Sequence, residues 1–272
     1  MKKGYNGTIG RRGTAGLFDT GGIPLKLLFD LHTHTVASGH AYSTLKENAE
    51  AAKERGLIAL GTSDHASAMP GGPAPVFFTT YRAIPETLLG IRIFTGVEAD
   101  ILNFDGELDL PADILERMDY VIASLHPPCI QAGTPEENTR AVVRAMANPC
   151  VTILGHPDDD RYPLLYEPVV EAAARFHVAL EVNSSSLAPR SARRNAEANM
   201  RKYLSLCALH RVPVIVNSDA HMYTEVGDFA RAEQLLAACA FPEELVLNTQ
   251  EEGLQCVIRD SDRQQMFRKG RP

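Results

Sequence analysis

The chain repeats one unit: a short apolar run of strand composition that closes on a histidine or an acid, with a helical pattern behind it. Leu57 to Thr62 ends in Ser63-Asp64-His65, Arg92 to Val97 at Glu98, Tyr120 to Leu125 at His126, and Val151 to Leu154 just before His156. Val178 to Val182 ends at Asn183, and Val212 to Val216 leads into Ser218-Asp219-Ala220-His221. Helical periodicity lies between them, as at Pro135 to Ala147, Leu164 to Phe176 and Arg194 to Leu209. Strands that alternate with helices pair in parallel, each helix serving as the crossover. Counting Phe29-Asp30-Leu31-His32-Thr33-His34 as the first strand gives about seven βα units, and 272 residues suit a single α/β barrel. All strands of such a barrel open their C-terminal ends on one face, so residues far apart in sequence converge there.

The first strand carries the densest signal. Alternate side chains of an extended strand share a face, so His32 and His34 point one way and Leu31 and Thr33 the other, with His40 following six residues later. A lone H-x-H is more often an accident of composition or a surface pair than a metal site. Here, of nine histidines, only His177 and His210 fall outside the strand ends, each at a helix-to-strand junction on the opposite face. A random scatter would not sort itself this way, so the set reads as a metal-binding constellation. A helix follows with its opening written out: Thr44-x-x-Glu47 forms a capping box, Leu45, Ala49 and Ala52 make the buried stripe, and Gly56 stops it.

Composition narrows the partners. A net charge of -7 argues against nucleic acid, which is held through clustered Lys and Arg. Small anionic substrates remain compatible, because bound cations can dominate a local field. The five cysteines, Cys129, Cys150, Cys207, Cys239 and Cys256, are odd in number, scattered and without a C-x-x-C pair, so neither a disulfide framework nor a thiolate zinc site is expected. No apolar run reaches membrane-spanning length, and the basic start lacks an apolar stretch behind it. The expectation is a cytoplasmic protein with no membrane contact. Residues 1–27, with Gly4, Gly7, Gly10, Gly13 and Gly16 at every third position, read as a flexible leader, and residues 261–272 as a polar tail to a domain over 28–260.

The motifs Asp30-Leu31-His32-Thr33-His34, Ser63-Asp64-His65, Gly96-Val97-Glu98, His126, Gly155-His156-Pro157 and Ser218-Asp219-Ala220-His221 carry a resemblance. On them the chain is similar to the polymerase and histidinol phosphatase superfamily, in particular its small single-domain bacterial phosphatases, over roughly Leu28 to Ile258. The resemblance implies a distorted (βα)7 TIM-like barrel with three divalent ions, zinc first and manganese or iron(II) also compatible with such ligands. It places His32, His34 and Asp219 on one ion, His126 and His156 on a second with Glu98 bridging the two, and His40, His65 and His221 on a third. All nine positions are filled. It further implies a phosphomonoesterase on a small soluble phosphate ester, with a metal-bound hydroxide attacking in line and no residue nucleophile. Asp219, as ligand or proton carrier, with His40 and His221 on the third ion, are the catalytic candidates. Phosphodiesterase or 3'-5' exonuclease activity, known in the same superfamily, is disfavoured by the charge and the lack of a second domain. A non-catalytic metal-bound scaffold is disfavoured by the complete ligand set. Relatives are often oligomers, so a homo-oligomer is compatible.

Several features admit two readings. Asp64 orients a ligand imidazole or caps a loop. Asn183 with Ser184 to Ser186 makes hydrogen bonds to substrate or ligands, in preference to a plain turn. Arg161 more simply pairs with Asp158 to Asp160 than with a phosphate. The loop Ala66 to Thr79, with Met69, Phe77 and Phe78, walls the mouth or packs down. Asp105-Gly106 reads as a hairpin turn, and Gln250 to Ile258 as a closing helix.

Overall fold

A computed structural model describes residues 25–261 and residue 265. The expected leader lies outside the described residues up to residue 24, as does most of the tail. The strands are β1 (Phe29–Asp30), β2 (Ala59–Thr62), β3 (Thr87–Leu88), β4 (Ile91–Asp100), β5 (Tyr120–Ser124), β6 (Ile153–Leu154), β7 (Ala179–Asn183) and β8 (Val214–Asn217). Seven of them form a parallel sheet in the order β1-β2-β4-β5-β6-β7-β8, with β3 antiparallel on β4. Helices Leu45–Glu54, Pro135–Met146, Tyr166–Phe176 and Ala196–His210 link strands and Ala230–Ala238 follows β8, which gives the distorted (βα)7 barrel expected. β3 was not visible in the sequence. It is a two-residue hairpin whose turn, Leu89-Gly90, takes φ values of 56° and 88°.

The sheet nearly closes on itself, and side chains complete the seam between β8 and β1. The buried Asn248 carboxamide donates from Nδ2 to Phe29 O and Val216 O and accepts the Val216 N–H at Oδ1. Asn217 Oδ1 takes the Leu31 N–H, and beyond it Thr33 bridges to Ala220. Amide side chains thus stand in for a missing ladder, because edge groups left unpaired in the interior would be costly.

Inside the barrel, Tyr120 spans the floor of the cavity and donates its hydroxyl to Leu31 O at 2.6 Å. Two glycines make room for its ring: a Cβ on Gly61 or Gly96 would stand 2.1 or 2.3 Å from it. Phe29, Phe94, Ile122, Ile153 and Ile215 fill the same interior, and Leu254 and Val257, from the helix Leu254–Val257, plug its far end. The closing helix expected over Gln250 to Ile258 is therefore real but shorter, preceded by a 3-10 turn at Glu251–Gly253. Outside, the helices bury a second, larger apolar layer, and both Thr44/Glu47 and Thr134/Glu137 form complete capping boxes. No helix among the described residues is long and apolar enough to cross a membrane.

Candidate metal centre

Beyond β1 the chain stays extended, so His32 and His34 both face inward, each fully buried. Thr33, between them, pairs with Ala220; Ala220 N–H donates to His32 O and His34 N–H to Ala220 O. That register sets Asp219 and His221 opposite the two histidines. Asp219 adopts φ 53° and His156 φ 26°, left-handed conformations that cost most residues strain and that cluster at functional sites.

Seven imidazoles and two acids, the nine residues singled out from sequence, meet at this mouth. Glu98, fully buried at the end of β4, is the hub. Its Oε2 lies 3.2 Å from His32 Nε2, 3.4 Å from His34 Nε2 and 3.1 Å from His65 Nδ1. Its Oε1 lies 2.8 Å from His156 Nε2 and 3.4 Å from His126 Nε2. Asp219 Oδ1 stands 3.5 Å from His32 Nε2 and 3.2 Å from His34 Nε2. The His40 ring centre is 5.0 Å from that of His65 and 4.9 Å from that of His221. Three overlapping trios place ligand atoms within 4.8 Å of one another: His32, His34 and Asp219; His34, His65 and His221; His65, Glu98 and His126. His177 and His210 sit at helix ends away from this face, as expected.

Further groups aim the ligands. Glu181 Oε1 accepts the His32 Nδ1–H at 2.7 Å, and Asp100 Oδ1 the His126 Nδ1–H at 2.6 Å, which turns each Nε2 lone pair inward. Ser38 donates to Asp64 Oδ1, so it is free to accept from His34 Nδ1 at 3.1 Å. Asp64 therefore steers His34 rather than its neighbour His65, and it pins not the loop that follows it but the earlier turn at Thr35, taking Thr35 N–H and Oγ1–H. Asn183 donates to Glu181 Oε2 and to Asp219 Oδ2, the hydrogen-bonding role preferred from sequence. Arg193 donates to the same Asp219 oxygen from both Nη atoms at 3.1 Å.

Arg193, Glu181 and Asp100 were not picked out from sequence. Glu181 and Asp100 lie in strands, on the inward face shared with Asn183 and Glu98, and two polar residues on one face of an otherwise buried strand were the signal for Glu181. Arg193 sits ten residues beyond β7, where only tertiary folding brings it back.

Electrostatics distinguish these groups. Burial opposes a charge on His32, but Glu181, Glu98 and Asp219 outweigh it and hold its pKa well above the usual range. Burial also opposes ionisation of Glu98 and Asp219, yet the surrounding imidazoles, with Arg193 for Asp219, hold both well below the carboxylate range. His65 is held well below its ordinary value, chiefly by burial, and His221 is pushed down to about 4 by burial and by His34. His65 and His221 are thus neutral imidazoles beside ionised carboxylates, the donor states that a divalent cation requires, whereas His32 must release a proton when a cation binds.

Other expected features resolve simply. Arg161 Nε donates to Asp159 Oδ2 at 2.6 Å, the plain ion pair. In the loop over the mouth, Met69 and Phe78 are buried and Phe77 packs against Phe78 and Tyr81, so these side chains pack down instead of lining an apolar wall. Ile101 and Leu108 bridge antiparallel around Gly106 at φ 77°, the hairpin expected there.

Comparison with known proteins adds the following. The PHP domain family matches residues 30–185. A probable phosphatase of Clostridium novyi (strain NT) is 41% identical over 235 residues, covering 86% of this chain and 96% of that protein. A probable phosphatase of Caldanaerobacter subterraneus subsp. tengcongensis is 44% identical over 230 residues, covering 84% and 90%. Among solved structures, histidinol phosphate phosphatase from Lactococcus lactis, in complex with zinc, L-histidinol and phosphate, aligns with a TM-score of 0.56. That alignment covers 79% of this chain and 94% of that one at 19% identity, so it bears on the fold alone.

Proposed function

The chain belongs to the PHP domain family, and from that premise we propose that it is a metal-dependent phosphatase hydrolysing small phosphomonoesters at a centre of three divalent cations. One observation carries the reading. Four fully or almost fully buried ligand atoms, His32 Nε2, His34 Nε2, His65 Nδ1 and Glu98 Oε2, converge without a hydrogen-bond partner among the described residues. Orphaned polar atoms are costly unless something coordinates them. In this reading His32, His34 and Asp219 hold one cation, His126 and His156 a second with Glu98 between the two, and His40, His65 and His221 a third. Nitrogen and oxygen donors without thiolate favour zinc, with manganese or iron(II) also accommodated.

Bound there, divalent cations supply Lewis acidity to phosphoryl oxygens and activate water near neutral pH. The chain's own residues do the rest. Glu181, Asp100 and Ser38 fix the orientation of His32, His126 and His34. Asn183 and Arg193 occupy Asp219 Oδ2, which leaves Oδ1 toward His32 and His34 and keeps the acid ionised and able to take a proton. Arg193, 13% exposed, adds fixed positive charge where a phosphate dianion would arrive. The one serine of this machinery, Ser38, is fully buried with its hydroxyl engaged by Asp64 and His34, so in this reading the attacking group is water.

Chelation should abolish phosphate release from a panel of small phosphomonoesters, and added Zn2+ or Mn2+ should restore it. Glu98→Gln should lower kcat/KM by at least about 100-fold with the circular dichroism spectrum unchanged. Turnover that survives both would refute the assignment, and comparable degradation of labelled single-stranded DNA would favour an exonuclease instead.

A further inference from the structure

Beside the metal centre lies a cavity of about 540 Å³, between the loops that follow β7 and β8. Sequence neighbours of the centre line it. Ser218 precedes Asp219, Met222 follows His221, and Ser184 follows Asn183, whose amide holds Asp219. Glu225, on the far wall, accepts the His221 N–H through Oε2. The volume falls within the range of small-molecule sites, which hold most of a ligand's surface.

The lining specifies a chemistry. Arg190 pairs with Glu225 and Arg231 with Asp228, so the two cations are matched by two acids and the cavity has no net charge to offer. The hydroxyl-bearing residues Ser184, Ser185 and Thr224 lie among them, and no aromatic residue contributes a stacking face. Groups that must meet donors and acceptors in alternation, while carrying no charge of their own, are alcohol hydroxyls.

We infer that this cavity receives the alcohol part of the phosphoester, and that this alcohol is a neutral polyol or sugar. The inference rests on the phosphomonoesterase reading and names its substrate class. With the phosphate held at the metal centre, the hydroxylated remainder would extend past Asp219 and His221, toward Ser185 and Thr224. A nucleobase or an aryl group finds no face to stack on there, and a second anionic group meets acids as often as arginines.

The test compares two esters, glucose 6-phosphate and methyl phosphate, in wild type, Ala188→Phe and Arg231→Ala. Ala188 lines the cavity with extended backbone (φ -71°, ψ 144°) that phenylalanine tolerates, so its ring fills the space. The ratio of kcat/KM for the sugar ester to that for the methyl ester should fall at least about tenfold in A188F and should also fall in R231A, mainly through KM. A misfolded fraction cancels in that ratio. An unchanged ratio in A188F overturns the inference. Free glucose, observed by saturation-transfer NMR, tests the cavity apart from hydrolysis. Transfer that is present in wild type and lost in A188F supports the assignment even if neither ester turns over, a result that would sink the phosphatase reading alone. No transfer in wild type overturns the assignment.

Discussion

Glu98 shows how much of this site is decided by single side chains. Fully buried, it faces five imidazoles at 2.8 to 3.4 Å, a placement that makes sense only if positive charge, from protons or from metal, is always present around it. Glu181 works one step further out, through His32. Glu181→Ala should leave the fold intact but weaken the tightest metal binding by about 10 to 100-fold, read by competition with a chromogenic chelator; unchanged affinity would remove its aiming role. Asp158 gives a prediction in the pH domain. Burial pushes its carboxyl up to about 7, so between the ordinary carboxylate range and that value the folded chain holds a proton that the unfolded chain has released. Stability must then fall as pH rises through this window. In chelated protein, Asp158→Asn should match wild type near pH 4 and exceed it by roughly 1 to 3 kcal/mol above pH 7, by urea denaturation. A constant difference across that range would contradict it. The nine residues that meet at the mouth could be singled out from sequence because most lie at or just past the end of an apolar strand, and the barrel gathers strand ends. Glu181 left a fainter trace, sharing with Asn183 one face of an otherwise apolar strand, and Arg193 left none, being a loop residue returned by tertiary folding.

Among elements, the seam between β8 and β1 is the place where the barrel depends on one residue. Asn248 makes three hydrogen bonds with backbone groups of β1 and β8. Asn248→Ala should cost on the order of 3 kcal/mol in chemical denaturation, because each orphaned buried group carries its own desolvation penalty. It should also lower metal affinity, since the Thr33–Ala220 pairing that aligns His32 with Asp219 lies on the same seam. A loss under 1 kcal/mol would mean that the sheet closes without it. Element type was legible where local chemistry is explicit, as in the capping box at Thr44 and the Gly106 turn. It was not legible where pairing is long-range. β1 and β6 are only two residues each, held to strands distant in sequence, and β3 forms only because Leu89 accepts a left-handed backbone beside Gly90. The loop over the mouth was open between two readings until Phe77, Phe78 and Tyr81 were seen stacked edge to face.

For the whole molecule, the candidate ligands come from β4 and from the segments after β1, β2, β5, β6 and β8, which makes the mouth a junction that ties most of the barrel together. Cations bound at such a junction stabilise the folded state alone and should couple loading to global stability. The account stands or falls on whether these side chains hold metal, and the metal-to-protein ratio of the purified chain, by inductively coupled plasma mass spectrometry, decides it. The prediction is about three divalent ions per chain, falling by about one in His40→Ala, which touches only the third position, and by more in Glu98→Gln. A ratio near zero after growth and purification with zinc, or one that neither substitution lowers, would contradict it.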